Sequence, residues 1–306
     1  MNETLTAIRG LKVGHYTDNA AKTGCTVILC EEGAVCGVDV RGAAPGTRET
    51  DLLTGYHLVD RVHAVMLCGG SAFGLAAADG AMRHLSEKGI GFDSGVCPVP
   101  IVPAAVIFDL AVGNSAVRPD AKAGYAACEN ASDGEVPCGA VGAGTGATVG
   151  KLLGMEHCEQ GGVGSFALTL PNGVVVAALV VVNAMGDVYD HHTGEILAGV
   201  NQDGAHLNAM NMLTSPFEPP KAGANTTIGV VATNARLTRE ETNRLATVGH
   251  DGLALAIRPV HTPFDGDTLF ALSTGEVPME DTAALFRVFA AAAEVTAQAV
   301  QRAVRR

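Results

Sequence analysis

Asn225, Thr226 and Thr227 stand together immediately before an apolar run, Ile228 to Ala232. A threonine hydroxyl inside a chain is a poor nucleophile, because it needs a base to take its proton. If the Thr226 hydroxyl attacks the Asn225 carbonyl, the peptide rearranges to an ester, and water can then cleave that ester. The cut would leave Thr226 as a new N-terminus carrying its own base. An α-amine has an unperturbed pKa of about 7.7–8, close to the pH at which it would have to work. By itself an Asn-Thr-Thr triplet is only the lead-in to a strand, so the reading needs partners.

Asp265 and Asp267 are the first candidates, 39 and 41 residues beyond Thr226 in Phe264-Asp265-Gly266-Asp267. In extended backbone, residues two apart face the same way. Both carboxylates could then enter one site, one holding the Thr226 hydroxyl and the other the α-ammonium. Asn183 closes a long apolar run, and a side-chain amide at a strand end can donate to an oxyanion. The segment Gly142 to Lys151 superficially resembles a phosphate loop, but Leu152 follows Lys151 where such a loop needs Ser or Thr. It could instead bring backbone N–H groups and one ammonium to a substrate carbonyl, with Gly144 and Thr145 as substrate-binding positions and Lys151 as the cation. Cys68 to Gly74 precedes a helix and could bind an anion there, although its spacing is not that of a dinucleotide fingerprint. The ten histidines include no H-x-x-x-H pair, and His191 and His192 would point apart in a strand. No metal and no other cofactor is expected.

The elements that must position these groups can be read in outline. Leu11–Val13, Cys25–Leu29, Ala34–Val40 and Val62–Leu67 read as strands separated by glycine-containing turns. Leu75–Lys88 reads as a helix ended by Gly89, and Arg118–Glu129 as a second. Pro100 and Pro103 argue against a central strand over Val99–Val106. Ser165–Leu170 and Val174–Val182 form a hairpin about Pro171-Asn172-Gly173. Residues 186 to 224, with Pro216, Pro219 and Pro220, read as an irregular, flexible approach to the cut. Thr227–Thr233 and Thr268–Ser273 are strands. Thr238-Arg239-Glu240-Glu241 matches a capping box and starts a helix to about Val248. A long alanine-rich helix covers Glu280–Arg305. Strands and helices interleave without a regular βαβ rhythm, which predicts mixed sheets with helices outside.

These residues and their order resemble the DmpA-type peptidases, the family of L-aminopeptidase/D-esterases, β-peptidyl aminopeptidases and the nylon-oligomer (6-aminohexanoate-oligomer) hydrolases. The markers are Val38 to Gly46, Gly69 to Leu75, Val102 to Asp109, Gly142 to Lys151, Asn225 to Ile228 and Phe264 to Thr268. The similarity runs from Leu11 to the last helix. It implies one αββα sandwich, residues 1–306, cut by itself into chains 1–225 and 226–306. It implies Thr226 as nucleophile, Asp265 and Asp267 as its acidic partners, Asn183 as oxyanion donor and Lys151 as a site lysine. A homo-oligomer of the processed pairs is expected. The Thr nucleophile with two Asp resembles the nylon-oligomer branch more than relatives with a Ser nucleophile. Phe108 stands where several relatives have a tyrosine, so a hydroxyl is missing from the substrate-binding wall.

Bulk properties fit this reading. The chain has 306 residues, 47% of them hydrophobic, with 38 glycines and no tryptophan. A net charge of −12 argues against nucleic acid or an anionic membrane as a partner. The longest unbroken apolar run, Val174–Val182, is too short to span a bilayer. The start lacks a basic stretch followed by an apolar one, so no secretory signal is read. Eight cysteines without a C-x-x-C pair look like small buried hydrophobes, which suits the cytoplasm. The expected activity is amide hydrolysis through an acyl-enzyme on Thr226, with a small peptide or amide as substrate. Two rivals are an acyltransferase of the ornithine-acetyltransferase type and a non-catalytic small-molecule-binding protein.

Overall fold

The computed structural model describes residues 2–216, 225–279 and 281–305. Its organising element is one long strand, β2 (Thr23–Val40), where two shorter strands and a turn were expected. Gly33 adopts φ +80° and the register slips between Leu29 and Ala34, so the chain bulges and bends instead of reversing. The first part of β2 pairs with β1 (Lys12–Asp18) and the last part with a distant strand, Thr268–Val277. The short strand β3 (Thr47–Arg48) follows, then β4 (Arg61–Cys68) and β5 (Ala104–Val106). The later strands are β6 (Gly162–Thr169), β7 (Val175–Asn183), β8 (Thr226–Ala235) and β9 (Thr268–Val277). Their order across one mixed sheet is β6-β7-β8-β9-β2-β4-β5-β3, with β1 added on β2. The pairs β8–β9 and β4–β5 are parallel. Pro103 thus precedes a pairing segment, and only three residues after it join the sheet.

Successive side chains on a strand point to opposite faces, and here both faces are buried. Leu179 and Val181 of β7, Ile228 and Val230 of β8, and Phe270 of β9 pack against Ile28, Val65 and Leu67 in a middle core. Their neighbours Val180, Val182, Val231 and Leu269 face α3 (Arg239–Ala256) and α4 (Thr282–Val304). On the other side, Cys25, Val27, Leu29 and Met66 face α1 (Ala77–Glu87) and α2 (Ala121–Glu129). The bent β2 therefore serves both sheet layers, and the molecule is an αββα sandwich folded from one continuous ladder. Burial on both faces explains why β7 reads as an unbroken apolar run.

The capping box at Thr238 and Glu241 is formed in full. The helix it starts continues past Val248 to Ala256, with Gly249 against β8 and β9 and Gly252 where it crosses α4. A Cβ on Gly252 would come within 2.3 Å of the Ala293 carbonyl oxygen. By length and composition α4 could cross a bilayer, yet its Val288, Ala292, Val295 and Ala299 are packed in the core beside β7. All eight cysteines are free; Cys25, Cys30, Cys36, Cys68 and Cys128 are buried, whereas Cys97 and Cys138 are exposed.

The stretch expected to be irregular is ordered as far as it is described. Short strands at Asp187–Tyr189, Ile196–Ala198, Asn201–Gln202 and Ala205–His206 lead to a helix, Ala209–Leu213. Buried Asp187 ties them together by accepting the Val200 N–H at 2.9 Å and the Ala209 N–H at 2.6 Å. Pro219 and Pro220 lie outside the described residues.

Candidate active site

Strand register gathers the expected groups. In the antiparallel β7–β8 pair, Asn183 at the end of β7 lies opposite Thr226 at the start of β8. In the parallel β8–β9 pair, Ile228 lies opposite Thr268, one residue after Asp267. An isolated parallel bridge joins Asn225 to Asp265. The Thr226 hydroxyl, the Asn183 amide and both acids thus sit together at neighbouring strand ends. All four side chains are almost fully buried.

The Thr226 hydroxyl donates to the carbonyl oxygen of Asn225, the residue before it. The Gly266 N–H reaches both groups, at 3.2 Å from Thr226 Oγ1 and 3.3 Å from the Asn225 carbonyl oxygen. Only glycine fits there. A Cβ on Gly266 would lie 2.9 Å from Thr226 Oγ1 and 2.7 Å from the Ala44 carbonyl oxygen.

The carboxylates are placed differently from the expectation. Among the described residues, neither bonds the Thr226 hydroxyl. Asp267 Oδ1 accepts the Thr227 N–H at 2.6 Å, and Asp265 Oδ2 accepts the Thr262 N–H at 2.6 Å. The acids secure the head of β8 and the loop before β9, and the hydroxyl is left to backbone groups. Loss of water and the neighbouring charge of Asp267 push the Asp265 carboxyl up to about 6.

Lys151 and Asn183 form one unit. The Lys151 ammonium donates to Asn183 Oδ1 at 2.8 Å and to its carbonyl oxygen at 2.9 Å. Asn183 Oδ1 also accepts the Thr148 N–H at 3.0 Å, and Nδ2 donates to the Phe108 carbonyl oxygen at 3.2 Å. The ammonium thus sets which way the amide points. Loss of water pushes the Lys151 pKa down to about 7, opposed by the neighbouring Cys158 and Asp265.

Thr226 opens onto a cavity of about 250 Å³, walled by Ala44, Pro45, Ser71, Phe108, Asn225 and Phe264. Phe108 is where it was expected. Gly144 and Thr145 are not: neither lines this cavity. Thr145 is buried with its hydroxyl on the Gly142 carbonyl at 2.6 Å, and a Cβ on Gly144 would meet the Val163 nitrogen at 2.4 Å. Only the Lys151 end of that segment reaches the site. In the Cys68–Gly74 turn, the N–H groups of Gly69, Gly70 and Ser71 are taken by the Gly24 carbonyl, Asp109 Oδ1 and the Ile107 carbonyl, so these three do not face an anion. The turn does deliver Ser71, in the left-handed region at φ +53°, to the cavity wall. Such backbone is unfavourable for a residue with a Cβ and tends to occur at functional sites.

Three residues the sequence did not single out matter here: Gly266, Ser71 and His261. His261 Nδ1 lies 2.7 Å from Asp267 Oδ2. A larger open groove of about 550 Å³ along His206, Leu207, Asn211 and Met212 holds none of the catalytic candidates. One set of described residues has donors spaced for a metal ion: His191, His192 and Glu294. The two rings stack at 3.9 Å instead of pointing apart, because they sit in a turn. The Gln301 amide donates to His191 Nδ1, which leaves the proton on Nε2, facing Glu294 at 3.0 Å. That proton occupies the lone pair a metal would need, so the set reads as a hydrogen-bonded cluster.

The fold and this cluster of strand ends define a class. Two solved structures superpose over nearly the whole chain. A Burkholderia sp. β-aminopeptidase gives TM-score 0.74 at 20% identity, covering 99% of this chain and 86% of its own. The L-aminopeptidase D-Ala-esterase/amidase of Ochrobactrum anthropi gives 0.73 at 20% identity, covering 98% and 85%. Its structure is described as a variant of the Ntn hydrolase fold, and the present chain has that fold. Sequence comparison then fixes the family. The profile of peptidase family S58 matches residues 3–306. An uncharacterized aminopeptidase of Mycobacterium tuberculosis is 46% identical, covering 97% of this chain and 92% of the relative. A 6-aminohexanoate-oligomer endohydrolase of Kocuria sp. is 34% identical, covering 89% and 75%. The chain belongs to peptidase family S58 and is an amide-bond hydrolase.

Proposed function

We propose that this hydrolase cuts itself between Asn225 and Thr226 and then uses the freed Thr226 to cleave small peptides, amino-acid amides or short amide oligomers. The observation that carries the reading is the Gly266 N–H, shared between the Thr226 hydroxyl and the Asn225 carbonyl oxygen. In the first step Thr226 Oγ1 attacks the Asn225 carbonyl carbon, and the developing oxyanion takes the Gly266 N–H. The C–N bond breaks, the Thr226 nitrogen gains a proton, and an ester remains. Water hydrolyses it to an Asn225 carboxylate and a free N-terminal Thr226. Asp265 at about 6 and Lys151 at about 7 both lie close to neutrality and can pass the proton before any α-amine exists.

In turnover the α-amine of Thr226 takes the hydroxyl proton, and Thr226 Oγ1 attacks the substrate amide. Asn183, held by Lys151, and Gly266 stabilise the oxyanion. Amine product leaves, and water releases the acid from the Thr226 ester. The cavity walls are mostly apolar, which favours a slender uncharged acyl group next to the scissile carbonyl. The names of the relatives supply the substrate classes to compare: N-terminal residues of peptides and 6-aminohexanoate oligomers. The assembly we propose is a homo-oligomer of processed pairs. Tyr56 and Leu58 support it: both are almost fully exposed on a loop whose carbonyls are gripped by Arg239.

Intact mass tests the central claim. Two species starting at residues 1 and 226 are expected, followed by hydrolysis in a panel of α-, β- and ω-amino-acid amides. A single full-length species that nonetheless hydrolyses the panel would overturn it.

A further inference from the structure

Behind Asp267 lies a pair of histidines that this chemistry leaves unused. Asp267 Oδ2 accepts the His261 backbone N–H at 3.1 Å and faces the ring Nδ1 of the same residue at 2.7 Å. The other oxygen, Oδ1, takes the Thr227 N–H at 2.6 Å. The acid is therefore stretched between the residue after the nucleophile and one imidazole. An ionised carboxylate only accepts, so the ring proton of His261 sits on Nδ1. His261 Nε2 is buried with no hydrogen-bond partner.

Two further features hold this ring in place. His261 has its backbone in the left-handed region, φ +56°, which turns both of its donors onto one oxygen. Its ring meets His250 edge-on, with centroids 4.8 Å apart. His250 Nε2 lies 2.9 Å from the Asp39 carbonyl oxygen, so that nitrogen carries the proton. Burial pushes the His250 pKa down to about 4, which leaves this ring neutral.

We propose that His261 is a positioning residue for Asp267, aiming its carboxylate at the head of β8 where the freed Thr226 amine is held. The proposal rests on Thr226 being the nucleophile. The charges facing the acid are few. Asp265 repels it, Lys151 attracts Asp265, and Asp39 and Arg41 act on His250. Deleting the His261 ring removes one of the two donors that meet at Asp267 Oδ2. The carboxylate is then free to turn away from the head of β8.

Two substitutions separate donor from backbone. His261→Gly relieves the left-handed conformation and deletes the ring donor. His261→Asn tolerates that conformation and returns an N–H at the position of Nδ1. Each variant is assayed as purified, processed protein on the best substrate of the amide panel. For His261→Gly, kcat should fall roughly tenfold to a hundredfold with little change in KM, as a misplaced catalytic group does. His261→Asn should stay within a few-fold of the parent in both kcat and KM.

Equal kcat of parent and His261→Gly overturns the proposal. So does a folded His261→Asn that is as impaired as His261→Gly. If His261→Gly fails to fold by circular dichroism, the Asn variant decides: a preserved kcat supports the role, and a folded but impaired enzyme refutes it. Thr226→Ala distinguishes the underlying reading. If that variant is active, the nucleophile assignment falls first; if it is dead while His261→Gly is normal, only the positioning role falls.

Discussion

Asn183, Thr226, Asp265 and Asp267 all stand at or just before strand ends in the layer backed by α3 and α4. Ala44, Pro45, Ser71 and Phe108 come from loops that follow β2, β4 and β5, on the side of the layer backed by α1 and α2. Both layers are built alike, with an inner face in the shared core and an outer face under helices. The difference lies in what holds their functional residues. Ladder register fixes the first set to within a residue, because a slip of one place would turn every side chain to the wrong face. The second set rides on connections that can change without disturbing the ladder. On the proposed function, chemistry and most of the substrate wall, Phe264 and Asn225 excepted, would fall to different halves of one sandwich.

The comparison breaks most sharply at Thr226. Thr226→Ala should abolish processing and lower turnover by at least roughly 10⁴-fold, seen as a single mass and flat progress curves. Gly266→Ala should slow processing by roughly 10²–10³-fold, as loss of an oxyanion donor does, because the new Cβ would press on Thr226 Oγ1. Time-resolved intact mass of freshly made protein reads this out.

The pH dependence of processing is the next effect. An acid raised to about 6 is mostly neutral below that pH and mostly ionised above it. If the Asp265 carboxylate assists the cut, processing at pH 5 should run about tenfold slower than at pH 7. A rate flat across that range would move the base role to another group. The smallest effect tests the wall. Phe108→Ala should leave processing unchanged and alter the ratio of kcat/KM between two amide substrates by up to roughly tenfold. Slowed processing in that variant would mean the two layers do not divide the labour as described.

Much of this was legible because it depends on residue type. The Thr226 hydroxyl, the Asp265 and Asp267 acids, the Asn183 amide and the Lys151 ammonium announce their chemistry, and the runs beside them announce strands. The parts that were not legible depend on backbone. The donor at Gly266 is an N–H that every residue but proline owns, and only the fold says where it points. His261 and Ser71 matter through left-handed backbone that their side chains do not advertise. Gly144 and Thr145 looked like substrate contacts because glycine-rich segments approach ligands closely, but here the close approach is to β6. Glu31-Glu32-Gly33 reads as a turn, and nothing local reveals that it is a bulge inside one strand.

Strands β8 and β9 lie in the middle of the sheet, with β7 on one side and β2 on the other. Both would belong to the shorter chain after a cut at Asn225, together with α3 and α4. That chain is therefore clamped along both edges of its strand pair, and its release would require opening the centre of the molecule. Before the cut, the chain can fold as a single molecule at any dilution. Afterwards, refolding from denaturant needs two separate chains to meet, so recovery should fall as the protein is diluted. Processing would thus make assembly a one-way event, with a history that the finished enzyme cannot easily repeat.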